Sequence, residues 1–189
     1  MNHKGTRTIE TKRLILRKFC KEDAKNMYEN WASDSEVTKY LMWPAHSSEK
    51  VSEEYIGMLL DSYQLKDYYD WAIELKELGQ VIGSIGIVNK NDVVESVHVG
   101  YCVGKKWWNQ GLTSEAFQAI IPFLFEEVGV KRIESRHDTN NENSGKVMKK
   151  CGLKYEGTLR NSDHNNQGIC DAAWYALLRE EYEEMKSGK

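Results

Sequence analysis

The residues with the clearest chemical potential lie around one glycine. A strand-like run, residues 93–103, leads through Gly104-Lys105-Lys106-Trp107-Trp108-Asn109-Gln110-Gly111 into a helix-like stretch opening at Leu112-Thr113-Ser114-Glu115-Ala116. A strand-loop-helix junction of this kind presents unpaired backbone N–H groups and the positive end of the helix dipole, and together these bind phosphate oxygens. It is therefore a candidate pyrophosphate site, although many such junctions only turn the chain. No Gly-Lys-Ser/Thr follows as in a P-loop, and the glycine spacing of a dinucleotide fingerprint is absent. On the strand leading in stands His98. An imidazole with an ordinary pKa of about 6.5 can take a proton from an ammonium near neutrality, and its alternative role is a structural hydrogen bond. Cys102 on the same strand reads as packing, because buried strand thiols are usually inert and no partner for a covalent mechanism is evident.

The elements that must position these residues follow from periodicity. Leu14-Ile15-Leu16-Arg17-Lys18 alternates as a first strand. Residues 23–31 place Ala24, Met27, Tyr28 and Trp31 on one helical face, and Ser47 or Ser48 can cap a second helix carrying Val51, Tyr55, Met58 and Leu59. Residues 71–75, 81–88 and 93–103 are strand-like and separated by turn sequences, which predicts a three-stranded antiparallel meander. Residues 113–128 have helical spacing up to Gly129, with Pro122 expected to kink or break the helix because it lacks a backbone donor. A short strand at 130–135, a short helix at 143–150 and closing strands at 155–159 and 172–178 complete an α+β unit. The polar segment 161–168 reads as the connection between the closing strands, either lining a groove or simply turning.

A chain of 189 residues with 40% hydrophobic and 29% charged residues can bury one substantial core, so residues 1–189 are expected to form a single domain with its core at about 8–182. Lys and Arg total 26 against 29 Asp and Glu, a net charge of -3 that gives no global attraction for nucleic acid. The four cysteines are scattered, with neither metal-ligand spacing nor a disulfide framework, so reduced thiols and no metal are expected. No run is long and apolar enough to cross a bilayer and residues 1–6 lack a signal-peptide core, so the expected location is cytoplasmic.

Two blocks together resemble a known family. Val99-Gly100-Tyr101 followed by Trp108-Asn109-Gln110-Gly111-Leu112-Thr113-Ser114-Glu115-Ala116 is similar to the central motif of the GNAT superfamily, in particular its RimJ/RimL-type branch of ribosomal-protein acetyltransferases. Arg132-Ile133-Glu134, Asn141-Glu142-Asn143-Ser144, Cys151-Gly152-Leu153 and Glu156-Gly157-Thr158-Leu159-Arg160 resemble that branch's later motifs in order and separation. The resemblance implies a mostly antiparallel, mixed and splayed sheet flanked by helices, with acetyl-CoA entering where two parallel strands part. It implies that Tyr101, Cys102 and Val103 border the pantetheine arm, that Trp108, Asn109, Gln110, Gly111, Leu112, Thr113 and Ser114 hold the pyrophosphate, and that Asn141 and Ser144 lie beside the thioester. Trp108, Asn109 and Thr113 depart from the family's usual loop, and Thr113 brings a β-branched side chain to the closest approach to phosphate.

The same resemblance raises His98 to a candidate general base, since related enzymes often carry a glutamate there. The tyrosine with which many members protonate the leaving thiolate is matched by Met148, which leaves Ser144, otherwise a helix cap, as the candidate acid. For the acceptor amine, Trp43 in its loop is a candidate wall. Glu74, with Glu95 and Asp163, has the charge to attract a cation, and His164 is a second candidate base. Solvated charge and core aromatics are the plainer readings of these residues. The activity implied is acetyl transfer from acetyl-CoA to a primary amine by direct attack in a ternary complex, with a protein N-terminus as the leading acceptor. A small-molecule amine and a noncatalytic acyl-CoA sensor are the alternatives. The expected partners are the amine substrate, with neither nucleic acid nor membrane, and a homodimer is left open.

Overall fold

The computed structural model describes residues 1–188. Apolar alternation produces β1 (Ile9–Glu10), β2 (Leu14–Arg17), β3 (Asp70–Leu75), β4 (Gln80–Asn91), β5 (Ser96–Val103), β6 (Arg132–Asp138), β7 (Lys154–Asn165) and β8 (Gly168–Leu178). These form one eight-stranded sheet in the order β1-β2-β3-β4-β5-β6-β8-β7. Every neighbouring pair is antiparallel except β5 and β6, which run parallel. The helices are α1 (Asp23–Met27), α2 (Ser35–Thr38), α3 (Glu49–Ser62), α4 (Leu112–Pro122), α5 (Glu142–Lys150) and α6 (Arg179–Ser187).

Successive strand side chains point to opposite faces, and each face receives different helices. On one face Trp71, Ile73, Ile85, Val97 and Val99 are fully or almost fully buried in one cluster with Phe117, Ile120 and Leu124. On the other, Ala72 and Val81 pack with Trp31 of the segment after α1 and with Ile56 and Leu59 of α3. Pro122 ends α4, and the chain continues as a wider π-type turn over Phe123–Val128 before Gly129 closes it at φ 82°. That is the break expected from the missing proline N–H.

Several stretches differ from the sequence reading, among them β1 and α6, which it did not include. The turn after β4 falls at 92–95 rather than 89–92, because Asn91 Oδ1 accepts from the N–H groups of Val93 and Val94 and leaves those valines outside the ladder. The polar segment 161–168 is mostly strand, with β7 and β8 paired as far as Asn165↔Gly168 and the ladder interrupted between Leu159 and Asp163. There Asp171 accepts from the Asn161 N–H, so polar residues sustain a hairpin without an apolar face. The short α2 had no apolar period to announce it; it begins where Asp34 caps the N–H of Glu36 at 2.8 Å.

The feature that positions the site is the parting of β5 from β6. Their pairing covers only Ser96↔Arg132, Val97↔Ile133 and His98↔Glu134. Beyond it, Ser135 Oγ donates to the Val99 carbonyl at 2.8 Å, and β6 continues against β8 alone. α5 approaches β6 closely because residue 145 is glycine: a Cβ there would stand 2.6 Å from His137 Nε2.

Candidate active site

Where β5 and β6 diverge, a cleft of about 640 Å³ opens between the end of β5, the start of α4 and the start of α5. The β5 side of its wall is Tyr101, Cys102 and Val103. These residues pair with β4 through Tyr101↔Ile85, Cys102↔Ser84 and Gly83↔Val103, while their other edge has lost β6. An unpaired strand edge carries amide groups able to pair with an extended chain that itself contains amides.

The floor is made by backbone. Asn109 and Gly111 both take left-handed conformations, at φ 59° and 74°, and Gly111 forms the N-cap of α4. None of the N–H groups of residues 109–114 donates to an acceptor among the described residues. They converge at the positive end of α4, the requirement for holding a diphosphate. Basic side chains reinforce it: from a Cβ placed on Gly111, Lys150 Nζ would stand 3.4 Å away and Arg13 Nη2 3.7 Å away. Arg13 is held there by Glu115 at 2.6 Å and by the Gln110 carbonyl. Trp108 fixes the loop by donating from Nε1 to the Val103 carbonyl at 2.7 Å.

Trp108, Asn109, Gly111, Leu112, Thr113, Ser114, Asn141 and Ser144 all line this cleft together with the end of β5. Gln110 does not, because its side-chain amide turns back to the Lys106 carbonyl. The sequence reading missed Lys39, Lys146 and Lys150, which also border the cleft. Lys146 and Lys150 are one helical turn apart on α5, a spacing that could have signalled a basic face.

The hydroxyls are paired. Tyr101 Oη lies 2.9 Å from Ser144 Oγ and donates to the Ser144 carbonyl at 2.9 Å. The Tyr101 ring packs on Phe117, and burial raises its phenol pKa well above the ordinary tyrosine value. Ser144 lies inside the first turn of α5 and Asn141 is the N-cap residue, so the serine hydroxyl is not occupied by capping. Met148 is fully buried in the main core.

The remaining candidates lie apart from the coenzyme side. His98 is 5% exposed and shares its strand face with Cys102, opposite Tyr101. Its Nδ1 is 3.7 Å from Glu134 Oε1 and its ring meets Trp174 edge-on. The hydrogen-bonding influence of His98, followed by that of Arg132, holds the Glu134 carboxyl below its usual range despite burial. Trp43 packs at the rim of the second core beside His46, and its carbonyl accepts from Asn166 Nδ2 at 2.8 Å. Glu74 is engaged by Arg17 Nε at 2.6 Å, the same arginine that grips Asp23. His164 is exposed on β7, Asp163 pairs with Arg136, and Glu95 pairs with Lys131. Among the described residues no group of acidic, His and Cys side chains is arranged to hold a metal, and no helix is long and apolar enough to cross a membrane.

Comparison with known proteins agrees with this geometry. Residues 13–154 match the family described as acetyltransferase (GNAT) domain. An uncharacterized N-acetyltransferase, p20 of Bacillus licheniformis, is 31% identical over 175 residues, covering 93% of this chain and 98% of that protein. The [ribosomal protein uS5]-alanine N-acetyltransferase of Escherichia coli is 23% identical, with 79% of each chain covered. A GNAT-family acetyltransferase structure from Bacillus anthracis superposes with a TM-score of 0.81 at 26% identity, covering 93% of this chain and all of that one. A parted β5–β6 pair, a free amide cradle at the head of α4 and a family match across both make this chain a member of the GNAT family of N-acetyltransferases.

Proposed function

We propose that the protein transfers the acetyl group of acetyl-CoA to a primary amine, with a protein N-terminus as the leading acceptor class, by direct attack within a ternary complex. The observation that carries the reading is the conjunction of free amides at 109–114 with the unpaired edge of Tyr101, Cys102 and Val103, which suits a diphosphate joined to an amide-bearing arm. Acetyl-CoA supplies an acetyl thioester when bound. Gly111 and the first turn of α4 would hold its diphosphate with Lys150 and Arg13, and the β5 edge would align its arm.

The chain's own residues then divide the proton work. Tyr101 stays protonated because burial disfavours the phenolate, so the Tyr101–Ser144 pair holds a proton at Ser144 Oγ, available to a departing thiolate. His98, held near Glu134, is the proposed acceptor of the amine's proton, acting directly or through water. The N-terminal acceptor is supported by the activity named for the Escherichia coli relative. A slender acceptor is also favoured by the bridge across the far side. There Asn166 donates to the carbonyls of Leu41, Thr38 and Trp43, tying the β7–β8 tip to the loop before α3.

The test is thiol release from acetyl-CoA with short peptides bearing Ala or Ser N-termini, run beside diamines, amino sugars and amino acids. Release above the acceptor-free rate for peptides supports the full reading, release only for small amines replaces the acceptor, and tight binding without release to any amine indicates a sensor.

A further inference from the structure

On the sheet face turned toward α3, away from the main core, one carboxylate oxygen has no protein partner. Asp70 opens β3, and its Oδ1 is shut off from solvent with no hydrogen-bond partner among the described residues. Its backbone, by contrast, is pinned: Tyr63 Oη donates to the Asp70 carbonyl at 2.9 Å and the Asp70 N–H donates to Thr6 Oγ1 at 3.0 Å. Asp70 faces Gly86 on β4, which faces Gly100 on β5. A Cβ on Gly86 would come within 3.2 Å of the Asp70 carboxyl carbon, so the carboxyl group lies over a position kept bare. Val88 covers Gly100 and closes the other end.

The surroundings are aromatic. Tyr55, Tyr63 and Tyr68 line the second core cluster beside Cys102, and the Tyr63 and Tyr68 rings meet edge-on at 5.5 Å. Asp70, Ser84, Gly100, Cys102, Tyr55 and Tyr68 are all half-buried, whereas Trp71, Ile85 and Val99, on the opposite face of the same strands, are completely buried. These residues thus form a partly exposed margin of the α3 cluster, whose centre at Ala72, Val81 and Ile56 is closed, and Cys102 belongs both to it and to the wall of the coenzyme cleft. The neighbouring cations are committed elsewhere: Arg17 to Asp23 and Glu74, Lys90 to Asp67, and Lys18 over the Tyr63 ring at 5.2 Å.

A half-buried carboxylate with one oxygen unpaired is costly and calls for a partner beyond the Tyr68 hydroxyl that already acts on it. The faces of the tyrosine rings around it attract a cation. We infer that Asp70, enclosed by Tyr55, Tyr63 and Tyr68 over Gly86, is an acceptor-binding residue that anchors an ammonium group of the amine substrate. The inference rests on the acetyltransferase reading and specifies which side of the sheet, and which charge, the acceptor brings. Glu74, Glu95 and Asp163 already have basic partners.

Titration follows from the same surroundings. Desolvation pushes the Asp70 carboxyl up to about 7, while burial raises the facing thiol of Cys102 to about 11 and raises the phenols of Tyr55, Tyr63 and Tyr68 above their ordinary value. As pH falls from 8 to 6, Asp70 takes up its proton and the anchor weakens. The imidazoles of His46, against the Tyr55 ring, and His98, on the strand face of Cys102, are the other nearby groups of a type that can change charge in this range. An aliphatic ammonium, with a pKa of about 10, keeps its charge throughout.

The experiment uses the full chain saturated with coenzyme A, which cannot acetylate, and measures binding of propylammonium against its neutral isostere 1-propanol by ligand-observed NMR. Propylammonium is expected to bind in preference to propanol, with affinity falling about ten-fold from pH 8 to pH 6 and by a similar factor in Asp70→Asn at pH 8, while coenzyme A affinity stays unchanged. Equal binding of the two probes, a flat pH profile in the parent, or undiminished binding in a folded Asp70→Asn overturns the anchor. Failure of the parent to bind coenzyme A overturns the underlying acetyltransferase reading instead. Absence of a propylammonium preference in the parent overturns the anchor even if the variant does not fold.

Discussion

The two faces of β5 are built from different materials. Toward α4 and α5, the cleft is built from backbone: unpaired amides of residues 109–114, the free edge of Tyr101, Cys102 and Val103, and a left-handed glycine where the helix begins. Toward α3, the surface is built from side chains delivered by separate segments, with Asp70 from β3, Tyr55 from α3, Tyr63 and Tyr68 from the connection between them, and His98 and Cys102 from β5. The first arrangement tolerates substitution, since any residue except proline offers an N–H, and this explains how Trp108, Asn109 and Thr113 fit in the loop. The second depends on particular atoms, and on the proposal above it is the one that selects the acceptor.

The contrast can be broken most severely at the shared hydroxyl pair. Replacing Ser144 with Ala should lower kcat by about 10²-fold with little change in coenzyme A affinity. Tyr101→Phe should do less, and the double variant no more than the worse single, as two hydroxyls on the proposed single proton path require. Steady-state kinetics beside calorimetry checks this. Gly111→Val tests the backbone side: a β-branched residue at φ 74° is strained by about 1–2 kcal/mol, and its side chain points toward Lys150. Coenzyme A affinity should fall by at least about ten-fold by calorimetry, while thermal stability falls only modestly.

Stability sharpens the other side. Because the folded-state pKa of Asp70 is raised from 3.8 to about 7, the folded protein holds that proton more tightly than the unfolded chain. The group is therefore neutral in its effect below about pH 4 and destabilising as pH climbs through 7. Asp70→Asn should accordingly stabilise the protein at pH 8, by about 1–3 kcal/mol, and leave it unchanged at pH 4, as read by denaturant unfolding. A smaller effect is expected at Lys150→Ala, a loss of coenzyme A affinity of about three-fold that shrinks with added salt. Smallest of all, Glu74→Gln should leave the acceptor KM unaltered, because Arg17 already holds that carboxylate.

Much of the coenzyme side was legible in the sequence. Gly111 between a strand and an amphipathic helix, and Asn141 with Ser144 opening the next helix, are local patterns whose physics is local too. Gln110 belonged to the same pattern, yet its side chain is drawn back to the Lys106 carbonyl, a detail set by one loop rotamer. The α3 face was harder to read because its residues are distant in sequence and meet only through sheet register. Glu74 and Asp70 lie four positions apart on β3 and both are acidic; only the approach of Arg17 from β2 distinguishes the ion-paired carboxylate from the one whose Oδ1 is left unpaired. The hairpin of β7 and β8 was read as a loop at 161–168 because strand pairing there is sustained by polar side chains rather than by apolar alternation.

On the proposal above, amides at the head of α4 and the freed edge of β5 receive a single coenzyme, and backbone ¹H–¹⁵N spectra of the full chain titrated with coenzyme A test this most directly. Shifts should be largest at residues 109–114 and 101–103 and small at Asp70 and its tyrosines. Saturation with no change at 109–114, or changes centred on the α3 face, would contradict it.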